Sequence, residues 1–168
     1  MKKLLLLLTI CLSAISAKAE EKVPFNMPEV SKPRIPDYTV SVETFGAKND
    51  GSTLCTEAFA KAMKHLAGKG GGRLVVPAGI WLTGPIQFES NTELHVENGA
   101  LVVFTTDYDA YPEISVVWEG NTATKKMSPL WAYEKHDVAI TGKGAFDGLG
   151  EAWRPSKQGK FTSAQWKK

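Results

Sequence analysis

The sequence predicts a mainly β chain of short strands headed by a single helix, arranged as a sandwich or a solenoid. Three observations carry this. Apolar residues two apart recur at Leu74/Val76, Ile80/Leu82, Ile86/Phe88, Leu94/Val96, Leu101/Val103 and Val138/Ile140, each pair marking the inner side of a short strand. The segments are separated by "PAG", "TGP", "SNT", "ENG" and "TGKG", all of turn-forming chemistry. Helical spacing occurs only once, upstream of the whole strand train.

In chain order, residues 1–19, "MKKLLLLLTICLSAISAKA", have the basic start, apolar centre and small-residue end of an export signal, with cleavage expected after Ala19. Their apolar run is interrupted by Thr9 and Ser13 and is shorter than a membrane span requires. Ile10 is bulky where lipidation at Cys11 would want a small residue, which argues against a lipoprotein anchor. The expectation is an exported protein, periplasmic or extracellular, with no membrane partner after cleavage. Residues 20–38 follow as an extended leader containing Pro24, Pro28, Pro33 and Pro36, and residues 39–168 form the domain.

Within the domain, Val40 and Val42 alternate with polar residues before a turn at Asn49-Asp50-Gly51. Cys55, Phe59, Ala62, Met63 and Leu66 then form one apolar stripe, predicting a helix from about Thr53 to Ala67 with Thr53 as N-cap and Gly68 as stop. The glycines of "GKGGGRLVVPAGIWLTGPI" therefore leave a helix and enter a strand. The dinucleotide fingerprint fails at Arg73, and the P-loop fails because Gly70, not Ser or Thr, follows Gly68-Lys69. A turn is the reading, not a phosphate cradle.

Little Asn-Gly or Asp-Gly hairpin chemistry separates the strands, and the helix stands where it could cover the open end of a stack; both favour the solenoid. "RPSKQGKFTSAQWKK" brings no closing element, so the expectation is the front part of a longer protein.

The apparent basic character belongs mostly to the leader. Of 20 basic residues, Lys2, Lys3 and Lys18 lie in residues 1–19, against 18 acidic residues that all lie beyond it. No basic patch interleaved with aromatics remains to suggest nucleic acid. After cleavage Cys55 is the only cysteine, so an intrachain disulfide and a cysteine metal cluster are both excluded, and no cofactor or metal is expected.

Four blocks, "VETFGAKNDGSTLCTEAFAKAMKHL", "GGGRLVVPAGIWLTGPI", "SNTELHVENGALVVFTTDYDAYP" and "ITGKGAFDGLGEAW", together resemble the N-terminal part of glycoside hydrolase family 28, the polygalacturonases. The resemblance implies a right-handed parallel β-helix, a pectin-lyase-like solenoid with an N-terminal capping helix. It also implies hydrolysis of α-1,4-galacturonosyl linkages in pectin with inversion, a pectic polysaccharide being the partner. The first two blocks are shared more widely among β-helix proteins, which leaves a non-catalytic polysaccharide-binding or attachment module as the alternative. The family's signatures, Asn-Thr-Asp, Asp-Asp, Gly-His-Gly and Arg-Ile-Lys, do not occur here; Asn91-Thr92-Glu93 is a near miss in a structural block. No catalytic residue is therefore assigned within the chain, and the chain alone is expected to be inactive.

Three residues remain as candidate substrate contacts. Trp153 offers a flat apolar face with a polar edge, suited to a pyranose or to packing between coils. Lys125 and Lys126, on a long segment between strands, are the cations best placed to meet acidic sugars, a solvated pair being the plainer account. Asp107, Asp109 and Asp147 read as turn carboxylates, while Trp81 and His95 are expected to point outward between apolar neighbours.

Overall fold

The computed structural model describes residues 30–154, 158–160 and 162–166. The expected export signal, residues 1–19, and residues 20–29 of the expected leader lie outside the described residues. Lys32–Lys168 forms one compact unit, and the elements below all belong to it.

The strands are β1 (Thr39–Ser41), β2 (Gly72–Val76), β3 (Gly79–Thr83), β4 (Ile86–Gln87), β5 (Thr92–Val96), β6 (Ala100–Phe104), β7 (Glu113–Trp118), β8 (Asn121–Lys126), β9 (Leu130–Trp131), β10 (Ala139–Gly142) and β11 (Ala145–Asp147). The main helix, α1 (Thr56–Gly68), lies between β1 and β2, and a short α2 (Ser163–Trp166) lies near the end. Three sheets are parallel: β1-β2-β5-β10, β3-β6-β11 and β4-β9. From β2 onward the chain passes through them in rotation, β2-β3-β4 and then β5-β6-β9 adding one strand to each sheet, with β1 before them and β10-β11 after. This is the solenoid that the turn chemistry favours.

Registers line identical positions into columns. Val40, Leu74, Leu94 and Ile140 stack in the first sheet, and Trp81, Val102 and Phe146 in the second. Leu74, Val76, Leu94, Val96 and Val102 are buried in one core with Phe59, Ala62, Met63 and Leu66 of α1. The buried stripe of α1 packs on β2 to β5 and on the 3-10 turn Val42–Phe45.

For two strands the structure reverses the inner face expected from sequence. Trp81 is fully buried and Ile80 is 48% exposed, so Trp81 and Thr83, not Ile80 and Leu82, face inward. The same holds for β6, where Ala100, Val102 and Phe104 are buried and Leu101 and Val103 are not. Both strands carry apolar residues on both faces, and pairing of Gly79 with Ala100 sets the phase. Trp81 is held there by its indole N–H donating to Pro77 O at 2.8 Å. Ile140 does continue the inner column but is half-exposed, because β10 is the outermost described strand of its sheet.

α1 begins later than expected. Thr53 is not its N-cap: its hydroxyl and amide donate to Asp50, which also accepts the Ser52 N–H. These donors, Thr53 first, hold the Asp50 carboxyl below the usual carboxylate range. The helix starts at Thr56, whose hydroxyl accepts the Gly84 N–H at 2.6 Å. Gly68 is still helical, and the left-handed exit is at Gly70, with φ +87°. The glycine run thus connects helix to strand.

On the outer face of the first sheet, Glu93 is buried at 6% exposure among residues of three coils. It pairs with Arg73 at 3.0 Å, accepts the Thr141 hydroxyl, and lies 3.6 Å from His95, whose Nδ1 is 2.6 Å from the Thr141 oxygen. His95 therefore points outward as expected but has partners. Burial would raise the Glu93 carboxyl; Thr141, then Arg73, then His95 more than offset this, and its pKa is lowered. A depressed carboxylate contributes stability that is complete above the unfolded glutamate value and is lost as pH falls through the lower folded value. Glu93→Gln should accordingly cost about 1–3 kcal/mol at pH 7. Urea midpoints should show that deficit narrowing as the pH drops below about 4; a gap constant with pH would contradict it.

Candidate functional site

The elements after β6 are interrupted by a hairpin. Asp107 caps the 3-10 turn Tyr108–Ala110, its carboxylate accepting the Asp109 N–H at 3.0 Å. The chain then reaches Tyr111, which is buried and whose hydroxyl donates to Thr105 O at 2.7 Å. Burial raises the Tyr111 pKa, so the phenol stays a donor.

β7 and β8 pair antiparallel from Glu113↔Lys126 to Trp118↔Asn121. The two linking residues, Glu119 and Gly120, have φ of 49° and 81°, the sense of a type I′ turn. Lys125 and Lys126 are thus on a hairpin strand and not on a long loop. Neighbours on a strand face opposite ways, which separates the pair. Lys125 Nζ lies 3.1 Å from the centroid of the Trp118 ring. Lys126 Nζ turns to the other face, 4.7 Å from the Tyr108 centroid and 4.0 Å from Glu113 Oε1.

Trp153 arrives from the far side. Asp147 Oδ1 accepts the Leu149 N–H at 2.9 Å, the turn role expected of it, and the chain enters the 3-10 turn Gly150–Trp153. The Trp153 ring stands edge-on to Tyr111 at 4.8 Å and tilted to Tyr108 at 5.6 Å. Between these elements is a cavity of about 230 Å³ lined by Tyr111, Lys126, Met127, Ser128, Pro129 and Trp153. The Trp153 indole nitrogen is shielded from solvent and has no hydrogen-bond partner among the described residues.

Of the three candidate contacts, the structure brings Trp153 and Lys126 together and directs Lys125 elsewhere. Tyr108, Tyr111 and Met127 join them without having been singled out by the sequence. "TTDYDAYP" draws attention through its carboxylates, though it is Tyr111 that lines the cavity, with Tyr108 set against Trp153 and Lys126. Among the described residues the lining carries no carboxyl group, so it does not hold the pair of carboxyl groups that glycoside hydrolysis ordinarily uses. Among the described residues no group of three His, Cys, Asp or Glu is placed to hold a metal.

No model of a known protein family matches the chain. A protein of Vitis vinifera described as a probable polygalacturonase is 33% identical over 125 residues, covering 69% of this chain and 26% of that protein. The crystal structure of a hyperthermoactive exopolygalacturonase from Thermotoga maritima matches at 42% identity and a TM-score of 0.66, covering 71% of this chain and 27% of that one. The chain is homologous to the polygalacturonases. A family 28 exopolygalacturonase from Yersinia enterocolitica matches at 29% identity and a TM-score of 0.61, over 67% of this chain and 21% of that one. The chain thus spans about a quarter of the length of the polygalacturonases it matches, and the resemblance read from the four sequence blocks is borne out.

Proposed function

We propose that the chain is the N-terminal front of an exported glycoside hydrolase that cleaves α-1,4-galacturonosyl linkages in pectin with inversion. The supporting observation is the 42% identity to an exopolygalacturonase over most of the described fold. In this reading the chain forms the first coils of a right-handed β-helix, α1 covers their open end, and residues 1–19 direct export. Inversion needs a carboxylic acid and a water-activating carboxylate roughly 6.5–9.5 Å apart. Those groups belong to coils that follow Lys168.

The test is to express the complete reading frame and follow polygalacturonate hydrolysis by NMR. Release of products with inverted anomeric configuration is expected; absence of cleavage, or retention, would reject the reading. The 168-residue chain alone should release no reducing sugar above the uncatalysed rate, and turnover by it would overturn the placement of the catalytic groups.

The second reading, a polysaccharide-binding module without catalysis, is favoured by one feature, a cavity with aromatic walls and a cation but no carboxyl group. A complete frame that binds pectin and cleaves nothing would select it.

A further inference from the structure

We infer that residues 32–36 form a strap, latched by Asp137 across the corner where β2, β5 and β10 begin, which opens about Asp37–Tyr38 while the coils beneath stay folded. The device needs none of the pectin chemistry.

The latch is a single directed contact. Arg34 N–H donates to Asp137 Oδ1 at 2.7 Å across 103 positions of sequence. Asp137 has φ of 52°, a left-handed backbone that few side chains besides Asn and Asp adopt without cost. Strain of that kind persists where the surroundings hold it, and here it aims a carboxylate at the strap. His136 Nδ1, 2.9 Å from the second carboxylate oxygen, fixes the orientation. The Arg34 N–H first, and His136 after it, hold the Asp137 carboxyl below the usual carboxylate range, so it stays ionised and only accepts.

The strap also has a bed. Pro36 lies on Gly71, where a Cβ would collide with Asn91 O and stand 3.0 Å from Pro36 Cδ; φ of +124° there suits glycine. Between the strap and the outer face of the first sheet is a recess of about 90 Å³, with Ile35, Asp37, Arg73 and Glu93 in its walls. The strap is thus part of the cover over the Arg73–Glu93 pair.

Little else holds it down. Pro33 and Pro36 have no N–H and cannot join a ladder. Among the described residues, the Arg34 bond is the one hydrogen bond from residues 32–36 to the coils, Pro36 O accepting only the nearby Tyr38 N–H. At Tyr38 the attachment changes: its carbonyl accepts the Arg73 N–H at 2.7 Å, and its hydroxyl is 2.9 Å from His65 Nε2. Asp37–Tyr38 is therefore the hinge. An exposed segment held by few bonds opens at a fraction of the global unfolding free energy. The ladder of β2, β5 and β10 does not pass through it.

The test is limited trypsin digestion of the 168-residue chain, with cleavage after Arg34 read by mass. Pro33 protects the bond after Lys32, and cleavage after Lys61 in α1 reports unfolding of the coils. Cleavage tracks the open population when reclosing is fast. Asp137→Gly suits the left-handed φ and removes the acceptor. Losing a hydrogen bond to a charged group should speed its cleavage after Arg34 at least about tenfold, with cleavage after Lys61 unchanged. Asp137→Asn keeps an acceptor oxygen and should fall between the two.

Equal Arg34 rates in the unsubstituted chain and Asp137→Gly would overturn the latch. Equal acceleration at Lys61 would overturn the hinge, because the coils would then be opening with the strap. Amide exchange in the unsubstituted chain gives a second readout that no variant's folding affects. The Arg34 amide should exchange more slowly than an unprotected amide and faster than those of β5; no protection, or exchange in step with β5, would reject the strap.

Discussion

Trp81→Ala should lower the stability of the chain by about 3–5 kcal/mol, the range for removing a large ring from a packed core. Trp81 is fully buried and its indole N–H bonds Pro77 O, so the substitution leaves both a void and an unpaired carbonyl. The adjacent Ile80→Ala should cost about 1 kcal/mol or less, because that side chain is 48% exposed. Urea unfolding of the two variants measures the difference directly, provided the denaturant slope is unchanged. Equal losses, or the larger loss at Ile80, would mean that the inward phase of β3 is the reverse of the one described.

The glycine run provides the second large effect, as a graded series. Gly72 has φ of +142°, and a Cβ there would collide with the Tyr38 carbonyl oxygen in the neighbouring coil. Gly72→Ala combines backbone strain of about 1–3 kcal/mol with a comparable overpacking cost, about 2–6 kcal/mol in all. Gly70 has φ of +87° and open space around it, so its replacement by alanine should show the strain alone. Gly68 is helical with nothing near it, and alanine there should be neutral or stabilising by up to about 1 kcal/mol. Thermal or urea midpoints should fall in the order Gly68, Gly70, Gly72; a flat series would show that the coils do not approach as closely as described.

How legible each segment is in the sequence depends on how asymmetric it is. Leu74/Val76 and Leu94/Val96 point inward as their spacing predicts, because a charged or polar residue, Arg73, Glu93 or His95, marks the opposite face. "GIWLT" and "ALVVF" have no such marker, and their phase is set by stacking against each other, a non-local constraint. The hairpin escapes sequence reading because Glu119-Gly120 is not a typical I′ dipeptide, although "EISVVW" and "NTATKK" supply matched six-residue arms around it. For the candidate site, the sequence nominates single residues but not their company. Trp153 and Lys126 stand out by chemistry, yet Lys125 separates from Lys126 only once the segment is known to be a strand. Tyr111 joins the cavity through a contact across more than forty positions, with Trp153, which no local pattern reports.

The hairpin also bears on how such a chain can change over generations. Leu94 is stacked on Leu74 after one short circuit and is followed in the column by Ile140 after a circuit that carries the whole hairpin. The coil closes in the same register either way, so the extra length is confined to one corner. Loop-closure cost rises only slowly with length, by about 0.6 kcal/mol for each doubling. Lengthening, shortening or replacing the arms therefore leaves the inward columns in place while altering what the corner presents to a ligand. Heredity can vary recognition there almost independently of folding, a division of labour in which the repeating frame is held constant and the interruption is free to diversify.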